Sequence, residues 1–334
     1  MTTSLVSFKS HTGCTDAIYC VNKIVEAYNK GGDTAHIAVL DVSKAFDRVN
    51  HFALFIKLMD RNIPLCLLGL LEEWLARGSS CVRWNGVYSS FFNLECGVRQ
   101  GSVLAPVLFA VYVNGVIRAC HGNTYGYIIV YADDILLISR SRLGLQSLLS
   151  AVEQELDWLC LTLNVAKSCC LKIGSTYDKS SLGLVTSAGH LIKWVNQVRY
   201  LGVILLSSRS FTCSLDASKK SFNRAANCVI GRLGGPNARN NAVLVELIKT
   251  KCIPILMYGT EASSIRKAQI SSLDFSVVRF GMKILHSVNR QLVIQSLSDL
   301  GLSLPDECIA RRIAKFKRKF ENSQNMMCQT VLLL

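Results

Sequence analysis

No apolar run in the chain approaches the roughly 18–20 residues that a membrane-spanning helix needs. The nearest, Val103 to Ile117, is interrupted by Pro106 and Asn114. The first residues also lack a basic stretch leading into an apolar core, so no secretory signal is predicted. Cys-x-x-Cys is absent although the sequence has 14 cysteines, which argues against a structural zinc site. Cys169 and Cys170 are adjacent and would face opposite sides of a strand. The cysteines are expected to be small buried apolar residues in a reducing compartment. A soluble, intracellular protein with no membrane contact is expected, with nucleus and cytoplasm not distinguished.

Acid is scarce in the second half. Residues 1–170 carry 14 Lys+Arg and 14 Asp+Glu, whereas residues 171–334 carry 23 and 9, so the whole net charge of +14 lies there. That asymmetry suits a chain in which one part grips phosphates, although a merely basic surface has the same composition. Half of the 334 residues are apolar and 18% are charged, which allows a sizeable core and two or three packed units.

Against this background two acids stand out. In Ile128-Ile129-Val130-Tyr131-Ala132-Asp133-Asp134-Ile135-Leu136-Leu137-Ile138 adjacent carboxylates interrupt an apolar, β-branched run that contains no Lys or Arg. Two like charges about 4 Å apart repel by about 4 kcal/mol at an effective dielectric near 20. The pair reads either as a solvated hairpin turn or as a hairpin tip offering both carboxylates to a divalent cation. A third acid favours the second reading. In Ile37-Ala38-Val39-Leu40-Asp41-Val42-Ser43-Lys44-Ala45-Phe46-Asp47 another apolar strand runs into an aspartate, and between the two sites stands Gly97-Val98-Arg99-Gln100-Gly101-Ser102.

This ordered trio resembles the palm of reverse transcriptases, and in detail those of non-LTR (LINE-type) retrotransposons. The resemblance spans about residues 10–290. It implies an α+β fold, a palm of antiparallel sheet backed by helices and followed by a helical thumb. The implied division is a remnant of the fingers over 1–35, palm over 36–207, thumb over 208–290 and a basic C-terminal extension over 291–334. It also implies an RNA-directed DNA polymerase acting by two-metal catalysis on an RNA template, a DNA primer and deoxynucleoside triphosphates, with the oligomeric state left open. Asp41, Asp133, Asp134 and the Val42 carbonyl would bind two Mg²⁺ ions, or Mn²⁺ as a substitute, and Lys167 would protonate the leaving pyrophosphate. Phe46 would exclude a 2′-hydroxyl, with Gln100, Gly101 and Tyr131 also at the substrate and Gly101 permitting close backbone approach. Tyr200, Leu201 and Gly202 match the primer grip, and Lys219, Lys220, Arg224 and Arg232 would track a duplex. Counterparts of most of the fingers, of an endonuclease domain and of a Cys/His cluster are not expected within these residues, as in a piece of a larger retrotransposon protein. A catalytically inactive remnant that still binds nucleic acid is the alternative.

Periodicity supplies the other elements. Helices are predicted from Thr15 to Asn29, Val49 to Asp60 (Phe52, Phe55, Ile56 and Met59 on one face), Leu65 to Ala76 and Leu145 to Leu161. Asn85-Gly86 predicts a type I′ hairpin. In Ser214 to Leu233, Phe222, Ala225, Val229 and Leu233 are expected inward. Arg311 to Phe320 reads as a basic amphipathic helix, and the tail from Ser323 has no evident periodicity.

Overall fold

The structure is a computed structural model, and it describes residues 4–6, 13–119, 126–233 and 241–334. In chain order the first elements are β1 (Ser4–Val6), α1 (Cys14–Lys30), β2 (Ala35–Asp41), α2 (His51–Met59) and α3 (Leu65–Ala76). Four two-residue strands follow, β3 (Ser79–Ser80), β4 (Arg83–Trp84), β5 (Val87–Tyr88) and β6 (Phe92–Asn93). Next come α4 (Ala105–Ala119), β7 (Gly126–Tyr131), β8 (Asp134–Ser139), α5 (Arg142–Trp158) and β9 (Cys169–Ile173). The remainder is β10 (Leu184–Val185), β11 (Leu191–Ile192), β12 (Gln197–Tyr200), β13 (Val203–Leu206), β14 (Cys213–Ser214) and α6 (Asp216–Leu233). Helices α7 (Asn241–Leu247), α8 (Ile253–Leu256), α9 (Lys267–Ile284), α10 (Arg290–Asp299), α11 (Pro305–Glu321) and α12 (Met326–Leu332) end the chain.

Two compact units result, one built mainly on Gly32–Val195 and the other on Cys14–Gly31 with Asn196–Gln324. The first is organised by a five-stranded sheet of order β1-β7-β8-β2-β9, antiparallel except where β1 runs parallel to β7. Its strands are nearly continuous apolar runs because helices cover the sheet. Leu108, Phe109, Tyr112 and Val116 of α4, with Leu145, Leu148, Leu149, Val152 and Leu156 of α5, join Leu40, Val130 and Leu137 in one buried core. Tyr112 spans this layer, its hydroxyl accepting from Asn50 N–H and donating to the carbonyl of Leu159. This is the α+β arrangement expected, an antiparallel sheet backed by helices.

The second unit carries the three-stranded sheet β12-β13-β14 and is otherwise helical. Phe222, Leu256, Leu273, Val277, Phe280 and Leu297 form its centre. Helix α1 packs within it, Tyr19 meeting Phe316 and Phe320 edge-on at 5.2 and 4.7 Å and Asn22 donating to the Ala262 carbonyl at 3.0 Å. No helix among the described residues is long and apolar enough to cross a membrane.

Several expectations change. In α2 the residues turned inward are Ala53, Leu54 and Leu58, while Phe52 and Met59 are exposed; the helix starts only after Asn50, whose side chain caps Ala53 N–H at 3.1 Å. In α6 the buried residues are Phe222 and Ala226, Ala225 and Val229 are half-buried, and Leu233 is exposed at the helix end. The tail is helical, with Met327, Cys328 and Val331 buried at helical spacing. Cys66, Cys96, Cys160 and Cys228 are exposed, so the cysteines are not uniformly core residues; Cys120 lies outside the described residues.

Candidate active site

Strand β2 is apolar from Ile37 to Leu40, and burial of those residues delivers Asp41 to the end of the strand. Across the antiparallel ladder Asp41 is in register with Asp134, the first residue of β8, which is also paired with Tyr131 of β7. Ala132 and Asp133 form the two-residue turn between β7 and β8, and Ala132 adopts φ +55°. A non-glycine residue held there stores about 1–2 kcal/mol of strain, which the flanking buried strands must impose. The three aspartates thus meet at one end of the central strands, Asp133 exposed and Asp134 half-buried. Burial, reinforced by the negative charges of Asp133 and Asp41, pushes the Asp134 carboxyl up to about 6 from 3.8.

A loop after α5 holds Asp41 in place. Asn164 N–H donates to the Asp41 carbonyl at 2.8 Å, Ser43 N–H donates to Thr162 O at 2.9 Å, and Val42 bridges Leu163 between them. The Ser168 hydroxyl accepts from Asp41 N–H at 3.1 Å and donates to Asn164 O at 2.8 Å. Lys167 from the same loop places Nζ 3.7 Å from Asp41 Oδ2 and is otherwise largely exposed. Sequence reasoning singled out Lys167 but not Asn164 or Ser168; their only signal was membership of the same short segment.

Beside the acids, Phe46 stacks on Phe109 with centroids 4.3 Å apart and an interplanar angle of 20°. Its carbonyl accepts from Val98 N–H at 2.8 Å, and Val49 O accepts from Gly97 N–H at the same distance. Gly97 has φ +89°, and a Cβ there would lie 2.8 Å from Asp47 O, so the loop approaches the turn too closely for a side chain. Gln100 Nε2 donates to Asp47 Oδ1 at 3.3 Å, which gives Asp47 a bracing role. Gly101 has φ of +88°, which favours glycine, and nothing lies within 4 Å of the position a Cβ would take.

The remaining candidates belong to the second unit. Leu201 and Gly202 turn the β12–β13 hairpin with φ of +43° and +84°, Tyr200 is buried, and Tyr258 Oη donates to Leu201 O at 2.9 Å. On α6, Lys220, Arg224 and Arg232 are exposed, whereas Lys219 is held by Asp216 at 2.9 Å and Ser272 at 3.2 Å.

Asp41, Asp133 and Asp134 offer hard oxygen donors and concentrated negative charge, the chemistry a divalent cation such as Mg²⁺ selects. Among the described residues, however, no three His, Cys, Asp or Glu side chains converge as a ready-made metal cluster. The donor chemistry fits.

The family model described as reverse transcriptase (RNA-dependent DNA polymerase) matches residues 1–205. A Pol polyprotein of the type-2 retrotransposable element R2DM from Drosophila melanogaster is 27% identical over 218 residues, covering 60% of this chain and 20% of that protein. The RNA-directed DNA polymerase from mobile element jockey of Drosophila funebris is 30% identical over 260 residues, covering 73% and 27%. The chain therefore spans between a fifth and a third of the length of these two relatives. Among solved structures, telomerase from Candida albicans with a telomeric RNA fragment is similar at TM-score 0.46 and 12% identity, covering 99% of this chain and 55% of that one.

Proposed function

The chain belongs to the reverse transcriptase family, of the kind carried by non-LTR retrotransposons, and from that premise we propose that it adds deoxynucleotides to a primer 3′-hydroxyl on an RNA template. The observation that carries this reading is the register of Asp41 with Asp134, with Asp133 in the adjoining turn. Asp41, Asp133, Asp134 and the Val42 carbonyl would hold two Mg²⁺ ions, with Mn²⁺ suited to the same oxygens. Such ions supply Lewis-acid stabilisation of the phosphoryl oxygens and a more acidic attacking hydroxyl.

The chain's own part is positioning and charge. The primer 3′-hydroxyl would lose its proton to solvent as its oxygen bonds to the α-phosphorus of the incoming nucleotide, the bond to the bridging oxygen breaks, and pyrophosphate leaves. Lys167 gives the departing pyrophosphate its proton. Asn164 and Ser168 keep the backbone of Asp41 fixed while charge moves, so no reorganisation is needed during transfer. Phe46, held flat by Phe109, forms the floor that excludes a ribose 2′-hydroxyl; Gln100, Gly101 and Tyr131 line the same substrate. Tyr200, Leu201 and Gly202 grip the primer end, and Lys220, Arg224 and Arg232 contact duplex phosphates. Lys219 contributes less because Asp216 already neutralises it. The division into fingers remnant (1–35), palm (36–207), thumb (208–290) and basic extension (291–334) is part of this proposal.

The test is primer extension on a homopolymer RNA template with Mg²⁺ and the complementary deoxynucleotide, beside an Asp133→Ala, Asp134→Ala variant. Extension that vanishes in the variant supports the reading. A second reading is a silent remnant that binds nucleic acid. Salt-sensitive primer–template binding without extension would establish it.

A further inference from the structure

Eight aromatic side chains are exposed among the described residues, and four of them, Trp84, Tyr88, Phe91 and Phe92, fall within nine residues. They sit on the antiparallel ribbon that leaves α3 at Gly78 and returns at Leu94, whose N–H donates to Gly78 O at 2.7 Å. At its tip β4 pairs with β5 through Asn85 and Gly86, both at positive φ. Arg83 lies opposite Tyr88, and Trp84 opposite Val87, so the two pairs project from opposite faces. Neither face is covered, since Trp84 is 77% exposed, Val87 71%, Tyr88 60% and Phe91 74%.

Such a ribbon is marginal in water, and its aromatics contribute little burial to the fold. Their cost in solvent points to a partner. The surroundings select its chemistry. From Gly78 to Arg99 there are two arginines, Arg83 and Arg99, and one acid, Glu95, while Arg77 just before them is paired with Glu73. The Arg83 guanidinium sits 5.4 Å from the Tyr88 ring centre, leaving a cation beside an aromatic face, and Arg99 is exposed at the ribbon's base. Ser79, Ser80, Ser89, Ser90 and Asn93 add small polar donors. Flat π-faces interleaved with guanidinium and hydroxyl groups suit bases and phosphates together. An apolar protein groove would not call for the cations.

We propose that the ribbon is a stacking element around which a single nucleic-acid strand passes, Trp84 on one face and Tyr88 on the other taking bases and Arg83 and Arg99 phosphates. Its C-terminal end runs directly into Gly97 and Val98, which bond Val49 and Phe46 at the candidate active site. The ribbon therefore adjoins the loop that packs against the candidate active site. The identity of that strand as RNA rests on the polymerase reading; the stacking does not.

The experiment measures binding of a labelled 12-nucleotide single-stranded RNA and of a blunt duplex of the same sequence, in EDTA, by fluorescence anisotropy at 50 and 200 mM salt. Trp84→Ala, Tyr88→Ala should weaken single-strand binding at least about tenfold. Trp84→Leu, Tyr88→Leu should do the same although it keeps apolar surface, and Trp84→Phe, Tyr88→Phe should bind within about threefold of the parent. Leucine variants that bind like the parent, equal losses on the duplex, or a parent dimer that the variants dissociate in light scattering would each overturn the stacking element. Primer extension run in parallel separates the two readings. Extension by alanine variants with unchanged RNA affinity removes the stacking element and leaves the polymerase. Trp84-dependent RNA binding without any extension does the reverse.

Discussion

Asp134→Asn removes one charge from the crowded end of β2 and β8 while keeping the side chain's shape. The folded Asp134 carboxyl holds its proton up to about pH 6, whereas its ordinary value is 3.8. Folding therefore takes up a proton between those values, and the contribution of Asp134 to stability falls as pH rises from about 4 to about 6. A shift of about two pKa units corresponds to about 3 kcal/mol. Because the group is only half-buried, solvent screening reduces the cost to about 1–2 kcal/mol. The variant should thus be more stable than the parent by about that amount at pH 7.5 without divalent metal, and no more stable at pH 4.

Urea unfolding followed by circular dichroism at both pH values, in EDTA, measures this difference. Mg²⁺ should then reverse the ranking, because an ion bound to the folded form adds RT ln(1 + [Mg²⁺]/Kd) to the parent and less to the variant. A variant that gains nothing at pH 7.5, or gains equally at pH 4, refutes the claim that like-charge crowding and burial strain this end of the sheet. Equal Mg²⁺ stabilisation of both proteins refutes the placement of the cation at Asp134.

Other substitutions probe the supports of the site. Gly97→Ala puts a Cβ 2.8 Å from Asp47 O at φ +89°, and it should lower stability by about 1–3 kcal/mol in the same urea assay. Lys57 Nζ lies 2.8 Å from Glu155 Oε1 and both side chains are largely buried; Lys57→Met should cost about 3 kcal/mol by stranding Glu155, and adding Glu155→Leu should restore most of it. Lys167→Ala removes an exposed partner of Asp41, so stability should change by less than about 1 kcal/mol while the extension rate falls about 100-fold or more. A proportional loss of both would make Lys167 a structural residue.

Local chemistry made much of the fold legible. A strand that ends in Asp41 and another that begins with Asp134, the Asn85-Gly86 turn with both residues at positive φ, and the Leu65–Ala76 helix all follow from patterns within about a dozen residues. Faces were harder to read where two stripes compete. In α2 the aromatic Phe52 looked inward by spacing, yet Ala53, Leu54 and Leu58 fit the space against α4 and Phe52 stays outside. The tail's helix escaped notice because Met327, Cys328 and Val331 make only one turn of pattern.

What the sequence could not disclose is long-range bracing. Ser168 reaches Asp41 across 127 residues and Asn22 reaches Ala262 across 240. Neither link has a periodic signature, since a hydroxyl or amide reaching distant backbone leaves its own neighbourhood unchanged. The consequence bears on how the site is held. Asp41 is fixed through its own N–H and C=O by Ser168 and Asn164, while its carboxylate lies 3.7 Å from the exposed Lys167. Rigid backbone with a lightly committed side chain suits the proposed role of Asp41, in which it would exchange an ammonium partner for a divalent cation. It also explains how three acids can share one end of a sheet without a ready-made cluster: the buried strands, rather than the carboxylates, bear the cost of bringing them together.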